Sequence, residues 1–359
     1  MKHFLCFLDK DKSRSQKPFQ LLGIKFAPLS IPFERRLQTI AALIWSSIIV
    51  IGFPLGYILF LYLLWTSRAQ WIFWPYIAWL IYDIRTPFNG GRNIHGSICL
   101  NVRNWRIWKY FKDYFPVKVI KTTDLDPNKG YLLGSHPHGF MASGVFAAFG
   151  TNDKDLIDIY PNIKSRVIAT SGIFIIPFIR ELNTSFGSVS CSKESMEIAL
   201  RNGKGLIHVL IVGGAMEAMN LGDHKDVHTL YLEKRKGFIK MAIRTGVDLI
   251  PSFTFGENKL YHQFEHPLLK KIQLFFERIF GFVPLIFFGR GIFQYSFGFL
   301  PLRVPLHVVI GKPIPVIMDP NPSIEMIENL HRIYVNDLKE LYDKYNPLYG
   351  DANVKLVIS

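Results

Sequence analysis

This chain is short of cysteine, of acidic side chains relative to basic ones and, over one long stretch, of charge of either sign. Only Cys6, Cys99 and Cys191 occur in 359 residues. They are far apart and odd in number, which excludes a disulfide framework or thiolate zinc site and fits a reducing, cytosol-facing compartment. Asp and Glu number 28 against 42 Lys and Arg, so the formal net charge is +14. That imbalance suits an anionic membrane surface, a phosphate-bearing ligand or nucleic acid. No RNA- or DNA-binding motif accompanies it, and nucleic acid is set aside. Internal repeats and low-complexity tracts are absent, so no solenoid or disordered array is expected.

The third shortage is local. Leu37 to Trp65 contains no charged residue in 29 positions, longer than the roughly 20 residues a spanning helix needs. The run begins too late and extends too far for a cleaved signal peptide. Gly52 and Pro54 interrupt it, which predicts a kink or the bend of a hairpin. A second apolar stretch, Trp71 to Tyr82, carries Trp71, Trp74, Tyr76, Trp79 and Tyr82, the aromatic density of a headgroup belt. Lys10, Lys12, Arg14, Lys17, Lys25, Arg35 and Arg36 precede these segments, and Arg85, Arg92, Arg103, Arg106 and Lys109 follow them. Positive charge on both flanks predicts a hairpin with both ends in the cytosol; the alternative is a buried core helix. The chain thus divides into a basic cytosolic segment over 1–36, a membrane hairpin over 37–82 and an α/β domain over 83–359.

What is abundant points to lipid and to a layered core. Hydrophobic residues make up 49% and Phe alone contributes 30. Short apolar strands are predicted at Tyr131–Leu133, Leu206–Val212, Asp248–Phe253 and Leu306–Ile310, and helices at Phe140–Phe149, Ser192–Asn202, Gly237–Thr245 and about Ile324–Tyr345. Strands alternating with helices imply α/β layers. The stripe Ile327, Leu330, Tyr334, Leu338, Leu341 and Tyr345 reads as core contact. Between Phe275 and Phe299 there are nine Phe in 25 residues, broken by Gly281, Pro284, Gly289, Gly291 and Gly298; this is either core or a lipid-facing wall.

The chemistry concentrates in Tyr131-Leu132-Leu133-Gly134-Ser135-His136-Pro137-His138-Gly139-Phe140. An apolar strand ends at Gly134, Pro137 biases His136 toward extended backbone, and Gly139 permits a sharp exit. Residues two apart in extended chain point the same way. His136 and His138 therefore suit proton abstraction from an alcohol near neutral pH. His-x-His also suits a packed pair, or a zinc or iron site completed by His208, His224, His228, His262 or His266, none at convincing ligand spacing. A nucleophilic Cys191 and a non-enzymatic, membrane-bound lipid scaffold are further readings.

Several blocks occur in order: Tyr114-Phe115-Pro116, the His136-Pro137-His138-Gly139 block, Val212-Gly213-Gly214-Ala215-Met216-Glu217-Ala218, Arg235-Lys236-Gly237-Phe238 leading into Leu249-Ile250-Pro251, Phe255-Gly256-Glu257, and Gly289 to Pro301. Together they resemble the type-2 diacylglycerol acyltransferase family, which includes monoacylglycerol acyltransferases and wax synthases. The resemblance covers about residues 25–345. It implies a glycerolipid-acyltransferase-like layered α/β domain preceded by a membrane-embedded helical hairpin. It also implies transfer of a fatty acyl group from acyl-CoA, as co-substrate, to diacylglycerol or a related lipid alcohol. The thioester is already activated, so neither a metal nor another cofactor is called for. An endoplasmic reticulum membrane with both termini cytosolic, extension to lipid droplets, contact with membrane lipid and room for a homo-oligomer follow from the same resemblance.

The wider glycerolipid acyltransferases place an acid five residues after the catalytic His. Here those positions hold Met141 and Ser143, so the orienting carboxylate comes from elsewhere, and the glycine-rich block nominates Glu217. Pro177-Phe178-Ile179-Arg180-Glu181-Leu182-Asn183-Thr184 keeps Pro and Arg but lacks the family's Tyr-Leu-Met continuation. The base is His136 or His138, with the strand end favouring His136. Helix N-terminal N–H groups near Phe140 to Ala142 would stabilise developing negative charge. For the CoA phosphates, Lys234, Arg235 and Lys236 open a helix with free backbone donors, and Arg180, Lys193 and Arg201 are further cations.

Overall fold

The computed structural model describes residues 19–28, 30–92, 102–152, 154–219, 227–264, 266–280 and 286–359. Most of the basic leading segment, Cys6, Cys99, His224, Gly281 and Pro284 lie outside them.

Two short strands, β1 (Phe19–Leu21) and β2 (Ile24–Phe26), pair antiparallel, and the Tyr295 N–H donates to the Lys25 carbonyl at 2.7 Å. Three helices follow: α1 (Phe33–Val50), α2 (Gly52–Trp65) and α3 (Gln70–Asp83). The predicted interruption falls at Ile51, and Pro54 sits in the first turn of α2, where its missing N–H costs nothing. Among the described residues no single helix is long and apolar enough to cross a membrane; α1 and α2 qualify only as a pair bent by 69°. α1 buries Ala41, Ala42 and Ser46, and Trp45 stacks on Phe146 with ring centroids 3.7 Å apart. Along α2 and α3 large apolar side chains, Phe53, Ile58, Trp65, Trp71 and Tyr82 among them, are exposed.

The body is a seven-stranded mixed sheet. Its members are β3 (Lys118–Lys121), β4 (Gly130–His136), β5 (Lys164–Ala169), β6 (Val189–Ser190), β7 (Leu206–Ile211), β9 (Asp248–Phe255) and β12 (His307–Ile310), in the order β3-β12-β9-β4-β7-β5-β6. Only the β12–β9 pairing is antiparallel. Four more strands form two small pairs: β8 (Val227–Leu230) with β13 (Lys355–Ile358), and β10 (His262–Gln263) with β11 (Phe287–Phe288). Helices cover both faces, as a parallel sheet requires. Alternation along β4 sends Tyr131 and Leu133 into one core cluster with Trp108, Phe111 and Phe146, and Leu132 into the other with Phe238, Tyr334 and Leu338.

Two boundaries differ from expectation in ways that matter for the site. β4 does not stop at Gly134 but runs on to His136. Glycine is there because a Cβ would lie 2.0 Å from the Tyr334 hydroxyl oxygen. The helix expected from Phe140 begins only at Ser143, after Ala142 at φ +49°, and passes into a wider turn over Phe146–Gly150. The aromatic region near 275–299 combines both readings: Phe287 and Phe299 pack against the core while Phe275, Phe288, Phe293 and Phe297 are exposed.

Candidate active site

Three adjacent parallel strands, β7, β4 and β9, end side by side, which is where open α/β sheets place their ligands. β4 delivers the two histidines. β7 leads into the helix Gly214–Met219 that carries Glu217. β9 leads through Gly256 to Glu257.

His136 is fully buried, and its Nε2 lies 3.1 Å from the Tyr334 hydroxyl, which donates onward to the Gly134 carbonyl at 3.2 Å. With the phenol proton spent on Gly134, Nε2 of His136 is the donor. Burial drops this imidazole to about 3 and keeps it neutral. His138, half-buried in the loop, has Nδ1 2.9 Å from the Gly139 carbonyl. A carbonyl only accepts, so Nδ1 carries the proton and Nε2 keeps its lone pair. Burial also lowers the His138 pKa from its ordinary 6.5.

Two buried carboxylates grip the main chain around His138. Glu217 accepts the His138 N–H at 2.9 Å and the Tyr231 N–H at 3.1 Å. Burial pushes it up to about 7, against those two hydrogen bonds and the nearby charge of Arg235. Its carboxyl fills the space that a Cβ on Gly213 would need, 1.7 Å away. Glu257 accepts the Ser143 N–H and the Gly144 N–H, both at 2.8 Å, and burial raises it likewise to about 7. Gly139 turns at φ +60°, and a Cβ there would lie 2.4 Å from the Glu257 Cγ. The loop is therefore fixed before and after its turn, and of the two ring nitrogens left without a partner, His136 Nδ1 is sealed in the core while His138 Nε2 lies in the loop.

The other sequence candidates separate. His136 and His138 are neighbours in different surroundings, because the strand stops at His136 and the period-two rule stops with it. Glu217 meets the backbone of His138 and not an imidazole ring. The N–H groups expected near Phe140 to Ala142 begin instead at Ser143 and are taken by Glu257. Arg180 is a correction. Only 2% exposed, it pairs with Asp83 at 2.9 Å and Glu181 at 2.7 Å, so its guanidinium faces protein carboxylates away from solvent. Lys234 and Arg235 are exposed at the approach to the helix Gly237–Thr245, while Lys236 pairs with Glu328 at 3.0 Å. Arg201 pairs with Glu197. Cys191 is exposed just past β6, at the sheet edge three strands from β4. Among the described residues no three His, Cys, Asp or Glu side chains gather as metal ligands. His228 meets the Tyr342 hydroxyl instead.

Two residues carry more than their sequence context announced. Glu257 ends the Phe255-Gly256-Glu257 block, and a carboxylate two residues past a fully buried strand was the available signal. Tyr334 belongs to the apolar stripe of the helix Ile324–Tyr349, and nothing in that stripe marks its hydroxyl as the partner of a histidine 198 positions away.

Comparison with known proteins gives a consistent picture. The family model described as diacylglycerol acyltransferase matches residues 61–359. A 2-acylglycerol O-acyltransferase 1 from Bos taurus is 42% identical over 92% of this chain and 97% of its own. Diacylglycerol O-acyltransferase 2A from Umbelopsis ramanniana is 38% identical over 92% of each. A human acyl-CoA wax alcohol acyltransferase 1 is 37% identical over 85% of this chain and 94% of its own. Among solved structures, the 1-acyl-sn-glycerophosphate acyltransferase PlsC from Thermotoga maritima aligns over 86% of this chain and 97% of its own, at a TM-score of 0.40 and 9% identity. That likeness is too slight to bear on the fold. With the family model spanning most of its length and relatives matching it nearly end to end, the chain belongs to the diacylglycerol acyltransferase family.

Proposed function

We propose that the protein moves a fatty acyl group from acyl-CoA to the hydroxyl of a lipid alcohol, diacylglycerol first among acceptors, with His138 as general base. One observation carries the assignment: the Nδ1–H of His138 is spent on the Gly139 carbonyl, so Nε2 offers a lone pair in a loop held by Glu217 and Glu257. The lipid oxygen gives its proton to Nε2 as it attacks the thioester carbonyl carbon. The carbon–sulfur bond then breaks, and the proton returns to the departing CoA sulfur. General-base help of this kind is worth roughly 10²–10⁴ in rate. His136, sealed and bound to Tyr334, seats the strand end. Lys234, Arg235 and Lys236 are the cations we assign to the CoA phosphates.

A monoacylglycerol acceptor is the second reading, favoured by the 42% identity to the cattle 2-acylglycerol enzyme. The same proposal keeps a basic segment over 1–36, a membrane hairpin over 37–82 and a catalytic α/β domain over 83–359. The exposed apolar sides of α2 and α3 support insertion of 37–82 as a hairpin with both termini cytosolic, in the endoplasmic reticulum membrane and at lipid-droplet surfaces. The deciding assay gives membranes labelled oleoyl-CoA with dioleoylglycerol, 2-monooleoylglycerol and hexadecanol in competition. Triacylglycerol is the predicted main product. Diacylglycerol as the main product would move the assignment to the second reading, and no acyl ester at all would end both.

A further inference from the structure

The local sequence after His138 supplies no acid: the fifth residue on is Ser143. Space supplies one. Glu257, 3% exposed, comes from the end of β9 and places Oε1 on the Ser143 N–H and Oε2 on the Gly144 N–H. Its Cγ packs where Gly139 lacks a side chain, and Oε1 lies 2.9 Å from the point a Gly139 Cβ would occupy. Gly139 is the residue whose carbonyl takes the imidazole proton of His138. A Cβ on Gly144 would meet Glu257 Oε2 at 3.0 Å and Thr254 Cγ2 at 2.6 Å, so both glycines fit the chain around this carboxylate. Glu217, by contrast, holds the amide of His138 itself and the start of the next segment at Tyr231.

We propose that Glu257 is the carboxylate partner of the histidine loop, a positioning residue that fixes Gly139 and the Ser143–Gly144 amides so that His138 presents Nε2 to the lipid hydroxyl. Its negative charge also offsets the imidazolium that forms when Nε2 takes the hydroxyl proton, before that proton leaves with the CoA sulfur. The proposal rests on His138 as the base, so the test follows both. A charge-neutral, shape-keeping variant removes the anion and one of the two acceptors. An Asp variant keeps the anion on a shorter stem.

The experiment compares full-length wild type with Glu257→Gln, Glu257→Asp and His138→Ala in reconstituted vesicles, using oleoyl-CoA and dioleoylglycerol, with thermal melting to score folding. Glu257→Gln is expected to lose roughly 10²-fold in kcat while KM for both substrates stays within about twofold, the split that a merely structural role would not give. Glu257→Asp is expected to recover at least about a tenth of the wild-type kcat. Wild-type kcat in Glu257→Gln, with His138→Ala inactive, overturns the Glu257 role and leaves the base assignment standing. Activity surviving in His138→Ala overturns the base and, with it, this proposal. Should the Gln variant fail to fold, Glu257→Ala decides: folded, with kcat down at least about tenfold and KM for both substrates within about twofold, it upholds the role; folded with any smaller loss of kcat, it refutes it.

Discussion

The ends of β4, β7 and β9 and the helices α2 and α3 solve opposite problems. At the strand ends, charged groups are buried, and the chain answers them with its own backbone: Glu217 and Glu257 each accept two N–H groups. On α2 and α3, apolar groups are exposed, including Ile58, Trp65, Trp71 and Tyr82. Apolar exposure on that scale marks a surface made for something other than water. The difference teaches that one half of the molecule is specified internally, by hydrogen bonds with no slack, and the other by its surroundings. Substitutions in the first region should therefore be felt as lost activity or stability, and those in the second as lost location.

The sharpest break in that comparison is His138→Ala, expected to cost roughly 10²–10⁴ in kcat, read by acyl transfer at saturating oleoyl-CoA; an undiminished rate would remove the loop from the chemistry. Next comes Arg180→Leu. It leaves Asp83 buried with Arg92 and the Thr86 hydroxyl for partners, and losing one member of a buried ion pair costs about 3–5 kcal/mol. Urea unfolding should register that loss while KM for oleoyl-CoA stays put; a raised KM with unchanged stability would return Arg180 to the phosphate site. Gly134→Ala drives a methyl into the Tyr334 hydroxyl and should cost about 1–3 kcal/mol by overpacking, part of which Tyr334→Phe in the same chain relieves. If the pair of changes is no milder than Gly134→Ala alone, the contact is not what selects glycine.

A subtler effect separates the buried groups by sign. Glu217 and Glu257 sit at about 7 when folded, above their ordinary 4.5. The folded state thus holds protons that the unfolded chain has released, and their contribution to stability falls as pH rises from about 4.5 to about 7. His136 and His208 are lowered to about 3. The unfolded chain therefore gains protons that the folded one refuses, and stability falls as pH drops from 6.5 toward 3. Glu257→Gln removes one of the two alkaline losses. Its stability deficit against wild type should shrink between pH 4.5 and pH 7 in thermal melts, and a deficit that widens over that interval contradicts the sign. The smallest effect on folding is expected from Ile58→Asp on α2, within about 0.5 kcal/mol as for an ordinary surface position, with membrane retention reduced in a flotation assay. A large loss of stability there would mean that this face packs inside the protein.

Much of this arrangement was readable from residue order alone. The helix Gly237–Thr245 starts and stops where its glycines said, and β7, β9 and β12 lie within two residues of their apolar runs. Those signals are local, carried by periodicity and by glycine at the turns. The errors are equally physical. Gly134 read as a strand end because glycine usually punctuates, whereas here it makes room for a side chain 200 residues away. Arg180 read as a phosphate contact because a cation is assumed exposed until its partner Asp83, 97 positions upstream, is seen. The helix expected at Phe140 begins late because Ala142 turns at φ +49° just before it, and its first free amides are then taken by Glu257, 113 and 114 positions on. Each miss is a long-range polar contact, the one class of interaction that leaves no pattern in neighbouring residues.

The seating of His136 by Tyr334 has a temporal side. During synthesis the imidazole leaves the ribosome 198 residues before the phenol that will receive its N–H. Until the helix Ile324–Tyr349 docks, the notch at Gly134 stands empty and the strand end has no lock. The hydrogen bond that seats this strand end is therefore completed only when the last long helix docks on the sheet.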